Sequence, residues 1–396
     1  MKIGMILDQE FPPDPRVKNE AISLIKAGHE VLLFCLHYGT QKSNETIEEI
    51  QVKRYLSTKL EYKLSALAYT VPLYKLLMVS KIEHFILENT IEILHIHDIR
   101  IAGTVFKANK KFKLKVVLDL HENRPEIMKY YPHLATFPGK VLISPKRWQR
   151  QEEKFIKKAN KVIVVTNESK KEILNRVPIA AAKIAIVTNT VRRSFYEDKA
   201  ISEDIIQKYA SKFVLLYIGD TGLRRGLVTA IKALTTLQKE IKNIKLVIVG
   251  KNSSDTVLKE IVRSLDLEAY VDFEGWQEPN LFQSYITASA ICLSPLHRNL
   301  HHDTTYANKI FQYMSLRRPL LVSDAVAQKV LVEKVHAGLV HKEKDVADFS
   351  KKVLQLYKDE TLRAAVARNG ETFIKNEFSW EETSKTLTNL YNNVQS

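Results

Sequence analysis

Two short apolar runs end in ionisable clusters. One closes on His95-Ile-His97-Asp98, the other on Asp119-Leu-His121-Glu122-Asn-Arg124. A histidine beside carboxylates can carry a proton or orient a hydroxyl, and it can equally close a strand by bonding a backbone carbonyl. Both readings stand for His121; His97 reads as strand-closing. A third group, Gly219-Asp220-Thr-Gly-Leu-Arg224-Arg225-Gly226, sets arginines among glycines. Glycine lets the backbone come close to a ligand, and the planar fork of arginine grips two oxygens of a diphosphate. The P-loop ending Gly-Lys-Ser/Thr is absent from it. A fourth group, Thr304, Thr305, Asn308 and Lys309, reads as the first turn of a short helix with Ile310, Phe311 and Met314 on its inner face. Unpaired N–H groups and the positive end of a helix dipole favour an anion there. Together these residues point to capture of a phosphorylated group, with histidine and carboxylate chemistry at hand. Lys251 and Trp276 follow two further strands; a tryptophan there stacks on a base or packs.

The elements that must position these residues alternate. Strands are predicted at Ile3–Leu7, Val31–Leu36, Glu92–Asp98, Lys115–Leu120, Val162–Val165 and Lys183–Val187. A second set follows at Phe213–Gly219, Lys245–Gly250, Val271–Gly275, Ile291–Leu293 and Leu320–Val322. Helical apolar periodicity lies between them, opened in one case by Asp14 as N-cap and Pro15 at the first helical position. Alternating strands and helices make an α/β chain with two doubly wound sheets, and open sheets of this kind hold ligands at the strand carboxyl ends. With 396 residues two domains are expected, joined through the mixed polar stretch 192–212. Residues 40–58 have no clear pattern, 128–150 read as a loop, and helices are expected after Asp324.

A formal net charge of +15 favours a polyanionic partner such as anionic lipid or phosphorylated small molecules. The basic residues are spread out and no nucleic-acid motif accompanies them, which disfavours a nucleic-acid partner. Residues 59–81 mix leucines, tyrosines and lysines; they read as a surface resting on anionic membrane or as core helices broken at Pro72. Residues 128–150, with Tyr130, Tyr131, Phe137, Trp148 and several cations, read as a second such contact or as an ordered surface loop. Two distant cysteines, Cys35 and Cys292, make neither a disulfide framework nor a metal site, and no apolar run reaches the roughly 20 residues that span a bilayer. No signal-peptide pattern precedes Ile3–Leu7. A cytoplasmic protein is expected, with a place at the inner face of the membrane. His301, His302 and Asp303 are adjacent rather than spaced as metal ligands.

The order and spacing of Asp14-Pro-Arg-Val17, Gly28-His-Glu-Val31, His95-Ile-His-Asp98, Leu118-Asp-Leu-His-Glu122, Val187-Thr-Asn189, Gly219…Arg225-Gly226, Asn308-Lys-Ile-Phe-Gln-Tyr-Met314 with Pro319, and Phe378-Ser-Trp380 resemble a GT-B glycosyltransferase of the large retaining family 4 over nearly the whole chain. The resemblance implies two Rossmann-like domains facing a cleft, 1–195 for the acceptor and 196–376 for a nucleotide-diphosphate sugar, with a last segment, 377–396, crossing back to the first domain. It implies transfer with retention to a hydroxyl of a glycan or lipid-linked acceptor in cell-surface polysaccharide assembly. No metal and no other cofactor are expected, since cations and a helix start take the diphosphate charge. His121 matches the family histidine near the transferred sugar, with Glu122 or Asp98 orienting the acceptor. Gly219, Arg224, Arg225, Lys251, Trp276, Thr305, Asn308, Lys309 and Gln312 are the implied nucleotide-sugar residues. The family often carries two glutamates whose places fall at Thr304 and Gln312, and Asp220 stands where many members have arginine. A nucleotide-sugar epimerase or hydrolase of the same fold, or a non-catalytic nucleotide-sugar-binding subunit, are the alternatives.

Overall fold

A computed structural model of the chain describes residues 1–395 apart from 132, 133, 135, 138 and 199. It divides into two units, Met1–Asn189 with Thr383–Ser396, and Thr190–Glu382.

The first unit is built on β1 (Lys2–Ile6), β2 (Glu30–His37), β3 (Asn44–Ile47), β4 (Ile50–Leu56), β5 (Ile93–His97), β6 (Lys115–Leu120), β7 (Lys161–Val164) and β8 (Ile184–Ile186). Their order is β3-β4-β2-β1-β5-β6-β7-β8, parallel except where β3 meets β4. The chain winds outward from β1 and then returns to its other side as β5, so the topological switch point lies between them. Alternation along the strands decides which layer each residue joins. Leu94, Ile96, Leu118 and Leu120 enter the core beneath helices Leu73–Glu88, Ile99–Phe112 and Pro145–Lys158. The intervening residues His95, His97 and Asp119 are fully or nearly fully buried on the opposite face. There they meet helix Pro15–Lys26 through Arg16 and Glu20, and the last helix, Lys385–Gln395, through Tyr391.

The second unit carries β9 (Phe213–Ile218), β10 (Ile244–Val249), β11 (Val271–Gly275), β12 (Ile291–Ser294), β13 (Leu320–Ser323) and β14 (Gly338–His341) in the order β11-β10-β9-β12-β13-β14, all parallel. Counted within the unit this is 3-2-1-4-5-6, the dinucleotide-binding arrangement, with its switch point between β9 and β12. Leu215 and Tyr217 face a layer containing Ile231, Leu234 and Phe349; Val214, Leu216 and Ile218 face one containing Phe311, Met314 and Ile374.

Several expectations need correction. Residues 40–58 form the hairpin β3–β4, turned by Glu48 and Glu49 at φ 44° and 70°. Left-handed hairpin turns normally announce themselves with Asn or Gly, and here that signal is missing. The 128–150 segment is largely helical, not a loop: Ser144 caps a helix that starts at Pro145 and buries Trp148. Residues 132, 133, 135 and 138 of that segment lie outside the described residues. β14 was not foreseen, since Gly338-Leu-Val-His341 is short and lies among helices. The units part at Asn189 and Glu382 because Val191, Tyr196 and Ile374 belong to the second core and the Trp380 N–H bonds Val191 O at 2.8 Å. Residues 59–81 form two helices, Lys59–Ser65 and one beginning at Leu73, with Pro72 as its N-cap. Tyr74, Met78 and Ile82 go inward, while Leu73, Leu76 and Leu77 stay exposed.

The last helix covers the face of the first sheet opposite the core beneath helix Leu73–Glu88, with Leu387 and Tyr391 fully buried. Leu387→Ala is expected to lower the unfolding free energy of the first unit by about 2–5 kcal/mol, read as a shift of its transition in a denaturant titration.

Candidate active site

In the first unit the ionisable residues converge on Asp119. Its Oδ1 accepts from Arg16 Nη2 at 2.9 Å, and its Oδ2 from Arg16 Nε at 3.1 Å and His121 Nε2 at 2.7 Å. Arg16 also donates to Val187 O at 3.0 Å and pairs with Glu20 at 2.8 Å. His95 Nε2 lies 3.3 Å from Glu20 and 3.7 Å from Asp119, and its Nδ1 is 2.7 Å from the Tyr391 hydroxyl. His97 stacks on His95 with ring centres 4.5 Å apart, and its Nδ1 is 3.1 Å from His121 Nε2.

Burial opposes charge on all these groups, and the neighbours decide each outcome. For His95, hydrogen bonds and charge from Asp119 and Glu20 outweigh burial and raise it to about 9. For His97, burial and the His95 cation lower it to about 3. Burial lowers His121 too, but Asp119 more than compensates and the net direction is upward. Asp119 itself is held well below the usual carboxylate range by Arg16 and His121 against the cost of burial. Ligand atoms of Glu20, His95, His97 and Asp119 lie within 4.8 Å of one another. The Arg16 guanidinium and the raised His95 already balance the two carboxylates, so the group reads as an ion-pair network rather than a cation cage.

Asp98, just past β5, has φ 69° and fixed partners: Oδ1 takes the Ile99 N–H at 2.7 Å and Oδ2 takes Arg124. These bonds anchor the turn after β5 to Arg124. Glu122 is exposed. His121 keeps Nδ1 without a protein partner among the described residues.

In the second unit, β9 runs into Gly219 at φ 127°, and Gly226 at φ 79° opens helix Leu227–Glu240. A Cβ on Gly226 would sit 1.7 Å from Pro295 O, and one on Gly250 would sit 1.9 Å from Gly219 O. The loops at the switch point thus touch backbone to backbone. Asp220 organises the first of them: its carboxylate accepts from Gly222 N at 3.2 Å, from Asn252 and from Arg225 Nε at 3.1 Å. Lys309 Nζ stands 3.3 Å from the Tyr217 ring centre and 4.0 Å from where a Gly219 Cβ would be. Burial and the Arg225 cation push the Lys309 ammonium well below its ordinary value, with Asp220 opposing. His302, whose Nδ1 donates to His297 O at 2.7 Å, is lowered to about 4 by burial and by Arg225, Arg224 and Lys309. Positive potential therefore pervades this corner.

Two family models cover most of the chain: "Glycosyltransferase Family 4" matches residues 16–195 and "Glycosyl transferases group 1" matches 198–373. The chain is a group 1 glycosyltransferase of the GT-B fold. Sucrose-phosphate synthase from Thermosynechococcus elongatus superposes with TM-score 0.80 at 15% identity, over 99% of this chain and 98% of that one. HepE from Anabaena, solved with UDP, gives TM-score 0.75 at 15% identity over 99% and 100%. An alpha-D-kanosaminyltransferase from Streptomyces kanamyceticus is 20% identical over 266 residues, 66% of this chain and 67% of that protein.

Against the expected donor residues of this glycosyltransferase, Gly219, Arg225 and Lys309 come together, and Arg224 stands in the same turn, its carbonyl bonded by His297 N at 3.0 Å. Thr304 and Thr305 do not open the Lys309 helix. They end a separate helix, Leu300–Thr304, and their hydroxyls bond back to Leu300 O and His301 O at 2.7 Å each. Asn308 is the N-cap of Lys309–Ser315 but makes no side-chain cap bond, and that helix has only seven residues. Positive charge there comes from Lys309 more than from a dipole. Half-buried Gln312 lies one turn further on, and Lys251 and Trp276 are exposed at the ends of β10 and β11. Asp303 is tied to Arg298 and to Val326 N. Sequence reasoning missed Arg16, Glu20, His95 and Tyr391 as one network. The i, i+4 pair Arg16–Glu20 directly after a proline-opened helix was the readable signal for two of them.

The raised His95 contributes stability that is complete below about pH 6.5 and is lost as pH rises through about 9. His97, shifted the other way, changes only below pH 6.5. Between pH 6.5 and 9 the first unit of the wild type is expected to lose melting temperature relative to His95→Gln. Parallel profiles in a pH series of thermal melts would overturn the assignment.

Proposed function

We propose that this glycosyltransferase moves a hexose from a nucleotide-diphosphate sugar to a hydroxyl acceptor with retention, in assembly of a bacterial cell-surface polysaccharide or glycoconjugate. The observation that carries the donor reading is Lys309, depressed beside Arg225 with Asp220 as the opposing carboxylate. A diphosphate relieves that strain by adding negative charge. HepE, solved with UDP, lends the nucleotide reading support through a shared fold.

In this reading the bond from the anomeric carbon to the β-phosphate oxygen breaks while the acceptor oxygen bonds to the same face. The acceptor proton passes to the leaving phosphate. Arg225 and Lys309 stabilise the gathering phosphate charge, a preorganised term worth about 3 kcal/mol per donor removed, so no metal and no other cofactor enters. Arg224 adds positive charge to the same turn, Gly219 and Asn308 give the phosphates close backbone, Lys251, Trp276 and Gln312 serve the nucleoside, and Thr305 acts as a spacer. His121 orients the sugar through Nδ1, fixed by Asp119, and Glu122 orients the acceptor. The acceptor is a glycan or a lipid-linked sugar, and the enzyme works in the cytoplasm at the inner membrane face. No helix among the described residues is long and apolar enough to cross a membrane, so contact is peripheral.

A thermal-shift screen of UDP, GDP, ADP and CMP compounds tests the donor: a ligand at about a hundred times its dissociation constant adds roughly 2.7 kcal/mol. Arg225→Ala is expected to lose most of that shift and about 100-fold or more in turnover; unchanged values discard the phosphate role. His121→Ala is expected to keep nucleotide affinity and lose turnover. Nucleotide binding is expected to take up protons at pH values between the lowered Lys309 and the ordinary lysine range, because the diphosphate raises Lys309; calorimetry in buffers of different ionisation enthalpy reads this, and Lys309→Met abolishes it. Thr304, with its hydroxyl turned back to Leu300 O, favours a second reading, donor binding without transfer. Product analysis with a donor and acceptor panel separates the two.

A further inference from the structure

On the helical face of the first unit, helices Leu73–Glu88, Ile99–Phe112 and Pro145–Lys158 and the segment 68–72 enclose a cavity of about 530 Å³. Each helix turns lysines toward it: Lys75 from the first, Lys107 and Lys110 from the second, Lys154 and Lys158 from the third. Spacings of three and four residues put each pair on one side of its helix. No carboxylate lines the cavity among the described residues, and none of these five lysines has a carboxylate within 4.0 Å there. A sixth cation in the wall, Arg100, is already neutralised by Asp8 at 2.6 Å. The acids of the third helix, Glu152 and Glu153, are engaged by Arg176 on another side. Lys75 is lowered by burial and then by the other four lysines, which shows that they act on a common space.

The rest of the wall is neutral: Val71, Leu76, Phe106 and Phe155 supply apolar surface, and Thr70, Thr104 and Gln151 supply uncharged polar groups. Leu76 of the wall is 55% exposed, and Leu73 and Leu77 on the same helix are 47% and 36% exposed. Val141, 71% exposed, lies on a short helix tied to the wall residue Thr70, whose Oγ1 donates to Leu142 O at 2.6 Å. A water-filled cationic pocket for a small soluble anion needs no such rim. Concentrated positive charge beside leucines and valines matches a bilayer surface, where phosphate and acyl boundary lie within a few ångström of each other.

We propose that the cavity walled by Lys75, Lys107, Lys110, Lys154 and Lys158 seats the phosphate of an anionic phospholipid, with Leu73, Leu76 and Leu77 entering the acyl boundary, so that this face docks the first unit on a membrane. The inference rests on the reading that the enzyme works at a membrane face, and it names the residues that hold it there.

The test is vesicle pelleting of the full chain with phosphatidylcholine alone and with phosphatidylcholine mixed with phosphatidylglycerol, without donor or nucleotide. Wild type is expected to pellet with the anionic vesicles at low salt, to release at high salt, and to ignore the neutral ones. The double change Lys107→Glu with Lys154→Glu, both at exposed positions, is expected to weaken binding about tenfold or more. Leu76→Ser is expected to weaken it with the salt dependence kept. Both variants should keep the wild-type melting temperature and nucleotide shift. Unchanged vesicle binding by the lysine variant overturns the proposal. So does stabilisation of wild type by inorganic pyrophosphate, lost in the lysine variant, with no vesicle binding, which assigns the cavity to a soluble anion. Turnover with a water-soluble acceptor is read without lipid, so failure of the donor reading and failure of this one are separate results.

Discussion

The buried Asp119 carboxylate imposes the constraint that shapes the first unit. A carboxylate with no exposure is tolerable only when paired and fully hydrogen-bonded, and removal of one partner of such a pair typically costs about 3–5 kcal/mol. Arg16 supplies two of the bonds and thereby ties the start of helix Pro15–Lys26 to the end of β6. Its third donor reaches Val187 O and holds the segment after β8. His121 supplies another bond, which fixes its ring without using Nδ1. Through Glu20 and His95 the same charge field reaches Tyr391 on the last helix. Three distant parts of the sequence are thus registered by one oxygen pair.

The charges in that network nearly close. Arg16 and protonated His95 balance Asp119 and Glu20, and His97 stays neutral because burial disfavours its charge and the His95 cation stacked at 4.5 Å adds to that. His121 is the member left over, and at 18% side-chain exposure it is also the one that meets solvent. A group that is raised by a carboxylate yet accessible is suited to hold or yield a proton beside a reacting hydroxyl. The second unit takes the opposite course. Its switch-point loops are held by backbone contact at Gly226 and Gly250, which no side chain could replace, and positive charge exceeds negative around Lys309. One unit stores a neutralised network and the other a cationic surplus, which suits the proposed orientation and anion capture respectively.

Strands were legible where an apolar run belonged to a sheet buried on both faces; Lys115–Leu120 matches residue for residue. β3 and β4 were not, because their turn uses Glu48 and Glu49 where the readable residues are Asn and Gly. Arg225 and Lys309 were legible because glycine-flanked arginine after a strand and a lysine at a helix start carry their chemistry locally. Thr305 misled because a polar run before a helix looks the same whether or not it belongs to that helix. Only the geometry shows the Thr305 hydroxyl satisfied by His301 O. The role of Tyr391 depends on a contact spanning nearly three hundred residues, for which no local pattern exists.

The two uncharged residues, Thr304 and Gln312, follow the same electrostatic logic. Gln312 lies one turn from Lys309 on the same helix, close enough for a charge there to act on the ammonium. A carboxylate at that place would raise Lys309 and offset part of the positive charge that adds to burial in lowering His302. Glutamine leaves Asp220 as the carboxylate that opposes Lys309, and Asp220 is itself occupied by Arg225 and Asn252. In the proposed donor reading, glutamine here strengthens the pull on a diphosphate and offers a ribose hydroxyl neutral hydrogen bonds, roughly half as strong as charge-assisted ones. In that reading donor affinity in the second unit rests on the diphosphate more than on the ribose.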